Sequence, residues 1–312
     1  MAKAKRIKGI NCDEAAVLGI RLVLETRFDE MYNFRQAALD WSDPEGVHSM
    51  RVASRRLRSA LRDFMPYLRQ RGLTSVLKHT KSIAAALGEV RDQDVAIIAL
   101  EKVEEQAPGE AGAALKQLID EHKELRNEAR ETLSSVLVEK QLNELRSEFM
   151  ARIHLATRLR KAGDGGELLT FSNMAGNVIQ DRLKELEKLS DSLYNPFEVE
   201  PLHDMRIAAK RLRYALELFH ECWDRSLQTY AKDVARIQTA LGDVHDCDIW
   251  LESLGKHVNE ARKQKQDEQI VGFIWLLSHF VKVRTKHLRQ AYDLWREWEA
   301  DDMGEQVREA IR

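Results

Sequence analysis

One stretch of eighteen residues occurs twice in this chain, and that duplication restricts its possible folds more than any other feature. Residues 47–64 read VHSMRVASRRLRSALRDF and residues 202–219 read LHDMRIAAKRLRYALELF, with ten of the eighteen aligned positions identical. At the same offset of 155, Val23, Arg27 and Glu30 match Val178, Arg182 and Glu185. At an offset of 154, LGEVRDQDV (87–95) matches LGDVHDCDI (241–249). A repeat of about 140 residues is much longer than a solenoid unit, so the pattern predicts a duplicated helical bundle.

Composition agrees with helices. Gly and Pro number 15 and 5 in 312 residues, charged residues make up 32%, and no segment alternates with the period of two that a strand needs. The first repeat reads as a helix over about 13–41 and a second over 45–70, with Pro44 after an Asp43 N-cap and Pro66 bending its end. A third helix covers 73–87 and is predicted to close at Gly88, and Asp92 is predicted to cap the fourth. A fifth runs over 110–137 after Pro108-Gly109, and the last helix of the second repeat ends near Trp298. The GDGG stretch at 163–166 separates the predicted repeats, 1–162 and 167–312. Three widely spaced cysteines speak against a disulfide framework and suit a reducing compartment. No apolar run is long enough for a membrane span, and the basic residues Lys3, Lys5, Arg6 and Lys8 precede no apolar signal core. These features predict a cytoplasmic location and a solvated N-terminus.

The repeated segment separates its chemistry when drawn as a helix. His48, Arg51, Arg55, Arg58 and Arg62 fall within an arc of about 80°, and Met50, Ala53, Leu57, Ala60, Leu61 and Phe64 lie opposite. The second copy carries His203, Arg206, Lys210 and Arg213, with Glu217 where the first has Arg62. Arg56 and Arg211 stand off the stripe. A solvated helix face normally mixes signs so that neighbours four residues apart attract. Residues 47–71 instead hold seven Lys/Arg against one acid, whereas the whole chain carries 49 against 51. From His48 to Arg62 the track is about 21 Å long at ~1.5 Å per residue, which suits successive groups of a linear anion. No Gly-rich phosphate loop is present, and aromatic side chains that would stack bases are missing from the basic arc, Tyr214 being the nearest.

In the second motif, Asp92 and Asp246 read as caps, and the alternative has Asp92 and Asp94 orienting nearby arginines, including Arg91. Lys78 and Lys232 lie nine residues before Leu87 and Leu241, in register.

These residues resemble the CHAD family, the conserved histidine α-helical domain, on VHSMRVASRRLRSAL with LGEVRDQDV and LHDMRIAAKRLRYAL with LGDVHDCD. The resemblance covers about residues 13–298. It implies an all-α protein of two pseudosymmetric bundles whose basic helices face a shared central channel. It further implies that long-chain inorganic polyphosphate is the ligand, bound without catalysis, cofactor or metal. The implied contact residues are His48, Arg51, Arg55, Arg58, Arg62, His203, Arg206, Lys210 and Arg213, with Arg27, Arg182, Lys78 and Lys232 in second rank. A separate polyphosphate- or triphosphate-processing enzyme is an implied partner, because the chain has no room for the triphosphate-processing domain that often accompanies the family. Granule targeting, storage and regulation of a partner all stay open.

Two other readings stay open at this level. A basic helical face can bind RNA or DNA. His245-Asp246, with Cys247 and Asp248, resembles the His-Asp pair of metal-dependent phosphohydrolases, although the first copy has Arg91 at the aligned position. His48 and His203 stand among arginines that disfavour both a metal cation and an imidazolium, so each is expected to be neutral.

Overall fold

The computed structural model describes residues 5–69, 72–158, 169–223 and 226–312. Among them the regular elements are eleven α-helices and four short 3₁₀ turns, and the only strand-like pairing is an isolated bridge between Ala15 and Thr170. The class is therefore all-α, as the composition predicted. Two compact units emerge, Met1–Glu101 with Ile119–Met174, and Lys102–Leu118 with Ala175–Arg312. The predicted GDGG boundary lies outside the described residues.

In the first unit, α1 (Ala16–Asn33) and the single turn α2 (Arg35–Ala38) replace the one helix predicted over 13–41, the chain breaking at Phe34. Helix α3 (Pro44–Phe64) starts as expected, with the Asp43 side chain accepting from the Glu45 N–H at 2.9 Å and Pro44 in the first turn. It stops at Phe64, before Pro66, which sits in a 3₁₀ turn over Met65–Tyr67. Gly46 lets α3 approach α2 closely, because a Cβ there would lie 1.9 Å from the Ala37 carbonyl oxygen.

Helix α4 (Thr74–Glu104) corrects a prediction: it passes through Gly88 without a break, so Asp92 is a mid-helix residue and not a cap. A lone glycine costs a helix only about 1 kcal/mol relative to alanine. The buried stripe Ile83, Leu87, Val90, Ile97 and Leu100 outweighs that cost. Helices α5 (Gly112–Val136) and α6 (Glu139–Ala156) follow, and Phe149 of α6 stacks on Phe28 of α1 with ring centroids 4.4 Å apart. The terminal segment is tied down from Lys5 onward: its N–H donates to Glu30 at 3.0 Å and its carbonyl accepts from Arg27 at 2.9 Å. Solvation of the basic terminus therefore does not extend to the Lys5 backbone, and Lys3 lies outside the described residues.

Helix α7 (Phe171–Lys188) leads into the second unit, where α8 (Val199–Phe219) is again a helix of 21 residues followed by a 3₁₀ turn, His220–Trp223. Helix α9 (Leu227–Gln264) also runs unbroken through its glycine, Gly242, and through Asp246. Its buried residues Val234, Ile237, Leu241, Val244 and Leu254 supply the same compensation. Helix α10 (Asp267–Ala300) ends near the predicted Trp298, and a short α11 (Met303–Ala310) follows that was not predicted. At Gly272 of α10 a Cβ would come within 2.7 Å of the Ala114 Cβ, so residues 102–118 pack tightly on this helix. Cys247 is a buried free thiol. No described helix is long and apolar enough to cross a membrane.

Candidate polyanion-binding site

Helix α3 is divided as its sequence predicts. Met50, Ala53, Leu57, Ala60, Leu61 and Phe64 are all buried. On the other arc His48, Arg51, Arg55 and Arg62 are half-buried and Arg58 is exposed. The helix has nothing apolar to bury on that side, so the guanidinium groups stay within reach of solvent.

The basic arc meets α4 through Asp92. Arg51 Nη2 lies 2.8 Å from the Asp92 carboxylate, and Asp94, two residues on and on the other side of α4, pairs with Arg126 of α5 at 3.6 Å. The aspartates therefore orient arginines, which was the alternative to capping. His48 Nδ1 is buried and has no hydrogen-bond partner. Burial is the main cause that pushes the His48 pKa down, and Arg91 and Arg51 add to it against an opposing pull from Glu45.

In the second unit His203 of α8 faces His245 of α9, with Nδ1 atoms 3.1 Å apart and ring centroids 4.2 Å apart. Burial, then Arg206 and His203, push His245 down to about 4, and burial and Arg206 lower His203 as well. Arg206 passes over Gly242, whose absent Cβ would lie 3.6 Å from the arginine Nε. Burial raises the nearby Asp243, and His287 of α10, 3.3 Å away, and Arg206 counter it. Arg213 departs from the rest of its stripe. It is buried, pairs with Glu217 at 3.0 Å and lies over the Tyr214 ring at 5.0 Å.

The two second-rank arginines occupy matching places. Arg27 donates to Glu30 at 2.6 Å, and Arg56 reaches the other oxygen of the same carboxylate at 3.3 Å. Arg182 pairs with Glu185 at 2.9 Å, and Arg211 pairs with that carboxylate's second oxygen. Lys78 and Lys232 are exposed on α4 and α9.

The profile of the CHAD domain matches residues 22–255, three quarters of the chain. The chain belongs to the CHAD family. In three dimensions it is similar to the crystal structure of the CHAD domain from the plant Ricinus communis, with a TM-score of 0.68 and 22% identity over 98% of this chain and 94% of that one. It is also similar to PptA from Streptomyces chartreusis, with a TM-score of 0.62 and 13% identity over 91% of this chain and 100% of that one. At these identities the likeness establishes the fold. No curated protein matches the chain in sequence.

Several residues of this CHAD protein went unassigned in the sequence reading. Glu30 and Glu185 recur in register beside Arg27 and Arg182, yet only the arginines were given a role. Arg284 of α10, which holds Asp248 at 2.5 Å, corresponds in role to Arg126 on Asp94 but not in repeat offset, so no alignment could reveal it. Asp248 is thereby engaged by a guanidinium. Among the described residues no three of His, Cys, Asp or Glu cluster so as to hold a metal ion.

Proposed function

We propose that this CHAD protein binds long-chain inorganic polyphosphate, without turning it over, through the basic faces of α3 and α8. The observation that carries the reading is the division of α3: its whole apolar arc is buried, and Arg51, Arg55, Arg58 and Arg62 occupy the other side of the same helix. Cations at successive turns of a rigid rod match an anion whose charges repeat along a line. The direct contacts in this proposal are His48, Arg51, Arg55, Arg58, Arg62, His203, Arg206 and Lys210, with Lys78 and Lys232 at the margins. Arg27 and Arg182 act from behind, in the carboxylate braces they share with Arg56 and Arg211, and Arg213 acts from the buried side of α8. The shared channel between two pseudosymmetric repeats, 1–162 and 167–312, and a cytoplasmic location belong to the same proposal, as does a separate polyphosphate- or triphosphate-processing partner.

The test is a competition titration in which RNA, duplex DNA and short phosphates displace labelled long-chain polyphosphate at three salt concentrations. An Arg51→Glu, Arg55→Glu, Arg206→Glu variant of unchanged helicity should lose affinity by about a hundredfold or more at moderate salt. Equal affinity for nucleic acid, or binding indifferent to the three substitutions, would overturn the proposal.

A further inference from the structure

We propose that His203 and His245 form a proton-gated seat for one phosphate group in the second unit, so that polyphosphate binding there takes up a proton. The inference rests on the polyphosphate reading above and deepens it by naming a contact residue, His245, and a regulator, pH.

The geometry defines the seat. With the two Nδ1 atoms 3.1 Å apart, one ring must donate its Nδ1–H to the lone pair of the other. The donor ring then has a bare Nε2 and the acceptor ring an Nε2–H. One proton from solvent, added to that bare Nε2, leaves the Nδ1–H···Nδ1 bond intact. The pair then offers two Nε2–H donors and one positive charge, which is what a phosphate oxyanion takes.

The surroundings keep that charge conditional. On α8, Arg206 and Lys210 disfavour it and Asp204 favours it. On α9, Asp248 favours it, but Arg284 of α10 already holds that carboxylate at 2.5 Å. Asp243 of α9 is met by His287 of α10 at 3.3 Å. Asp246 stands beside His245 in the chain. The seat is therefore neutral in the free protein, and an arriving phosphate supplies the missing counter-charge. The first unit differs at the position aligned with His245. Where LGDVHDCDI has His245, LGEVRDQDV has Arg91, whose permanent charge acts on His48. One unit thus carries a fixed cation beside its repeated histidine and the other a titratable one.

The sign follows. A group protonated only in the complex makes binding tighter as pH falls, by up to about tenfold per pH unit for one proton. Affinity for long-chain polyphosphate, whose internal groups stay ionised throughout, would be measured from pH 8.5 to 5.5 at fixed ionic strength, with polyvinyl sulfate as a ligand that does not titrate. Calorimetry in two buffers of different ionisation enthalpy counts the protons. Wild type should gain affinity with falling pH for both ligands and take up about one proton. H245R should bind tightly with little pH dependence, and the H203Q/H245Q double variant weakly with little pH dependence, each with wild-type helicity. A flat wild-type profile, or a double variant that keeps the wild-type slope, would overturn the inference while leaving polyphosphate binding intact. Absence of binding by wild type at every pH would overturn both.

Discussion

Arg56 reaches one oxygen of Glu30 at 3.3 Å while Arg27 takes the other at 2.6 Å, and the same trio recurs 155 residues later as Arg211, Glu185 and Arg182. Glu30 ties α3 to α1, and Glu185 ties α8 to α7. Arg56 and Arg211, which point away from the basic stripe, therefore have a bracing task that differs from that of their neighbours. The two braces differ in burial, Glu30 being 6% exposed and Glu185 27%.

That difference sets a stability prediction. Glu30→Gln takes from two arginines the buried carboxylate they share and should cost about 3 kcal/mol. Glu185→Gln, with more access to water, should cost about 1 kcal/mol. Urea unfolding midpoints of the two variants measure this, and equal losses would contradict the burial argument.

Asp92 is 65% exposed and pairs with Arg51 at 2.8 Å. An exposed pair contributes about 0.2–1 kcal/mol, so Asp92→Asn should barely change stability. It removes a carboxylate that competes with an external anion for Arg51 and repels that anion, so polyphosphate affinity should rise about two- to fivefold at low salt. Titration at low and high salt tests this, since the gain should shrink as salt screens the pair.

The fold class and the faces of α3 were legible because both follow from periodicity, and every residue of the predicted apolar arc is buried. The glycines misled. Gly88 and Gly242 looked like helix ends because a glycine's local preference is visible in the sequence, while the packing of Leu87, Val90, Leu241 and Val244 that overrides it is not. The break at Phe34 had no sequence mark of its own. Arg213 looked equivalent to Arg206 by spacing, but its pairing with Glu217 depends on a substitution that was read only as a loss of charge. Contacts across helices out of repeat register, such as Arg284 with Asp248, could be seen only in three dimensions.

Gly272 carries a packing prediction. An added methyl would stand 2.7 Å from the Ala114 Cβ and 3.2 Å from the Glu110 carbonyl oxygen. Helix backbone cannot give way as a flexible side chain does, so Gly272→Ala should destabilise by about 1–3 kcal/mol despite alanine's better helix propensity. Thermal unfolding compared with Gly255→Ala, where an added Cβ meets nothing within 4 Å, separates the two effects. The Gly255 variant should be neutral or slightly stabilised.

Arg58 and Arg213 separate binding from structure most cleanly. Arg58 is exposed on the basic arc, so Arg58→Gln should leave stability unchanged and weaken polyphosphate binding. Each lost contact should also lower the slope of log affinity against log salt by up to about one, because one fewer counterion is released. Arg213 is buried against Glu217 and Tyr214. Arg213→Gln should therefore destabilise the fold by about 1–3 kcal/mol and leave the salt slope near its wild-type value. Salt titrations beside denaturant curves measure both quantities on the same proteins. A slope lowered by Arg213→Gln but not by Arg58→Gln would reverse the assignment of which arginine meets the anion.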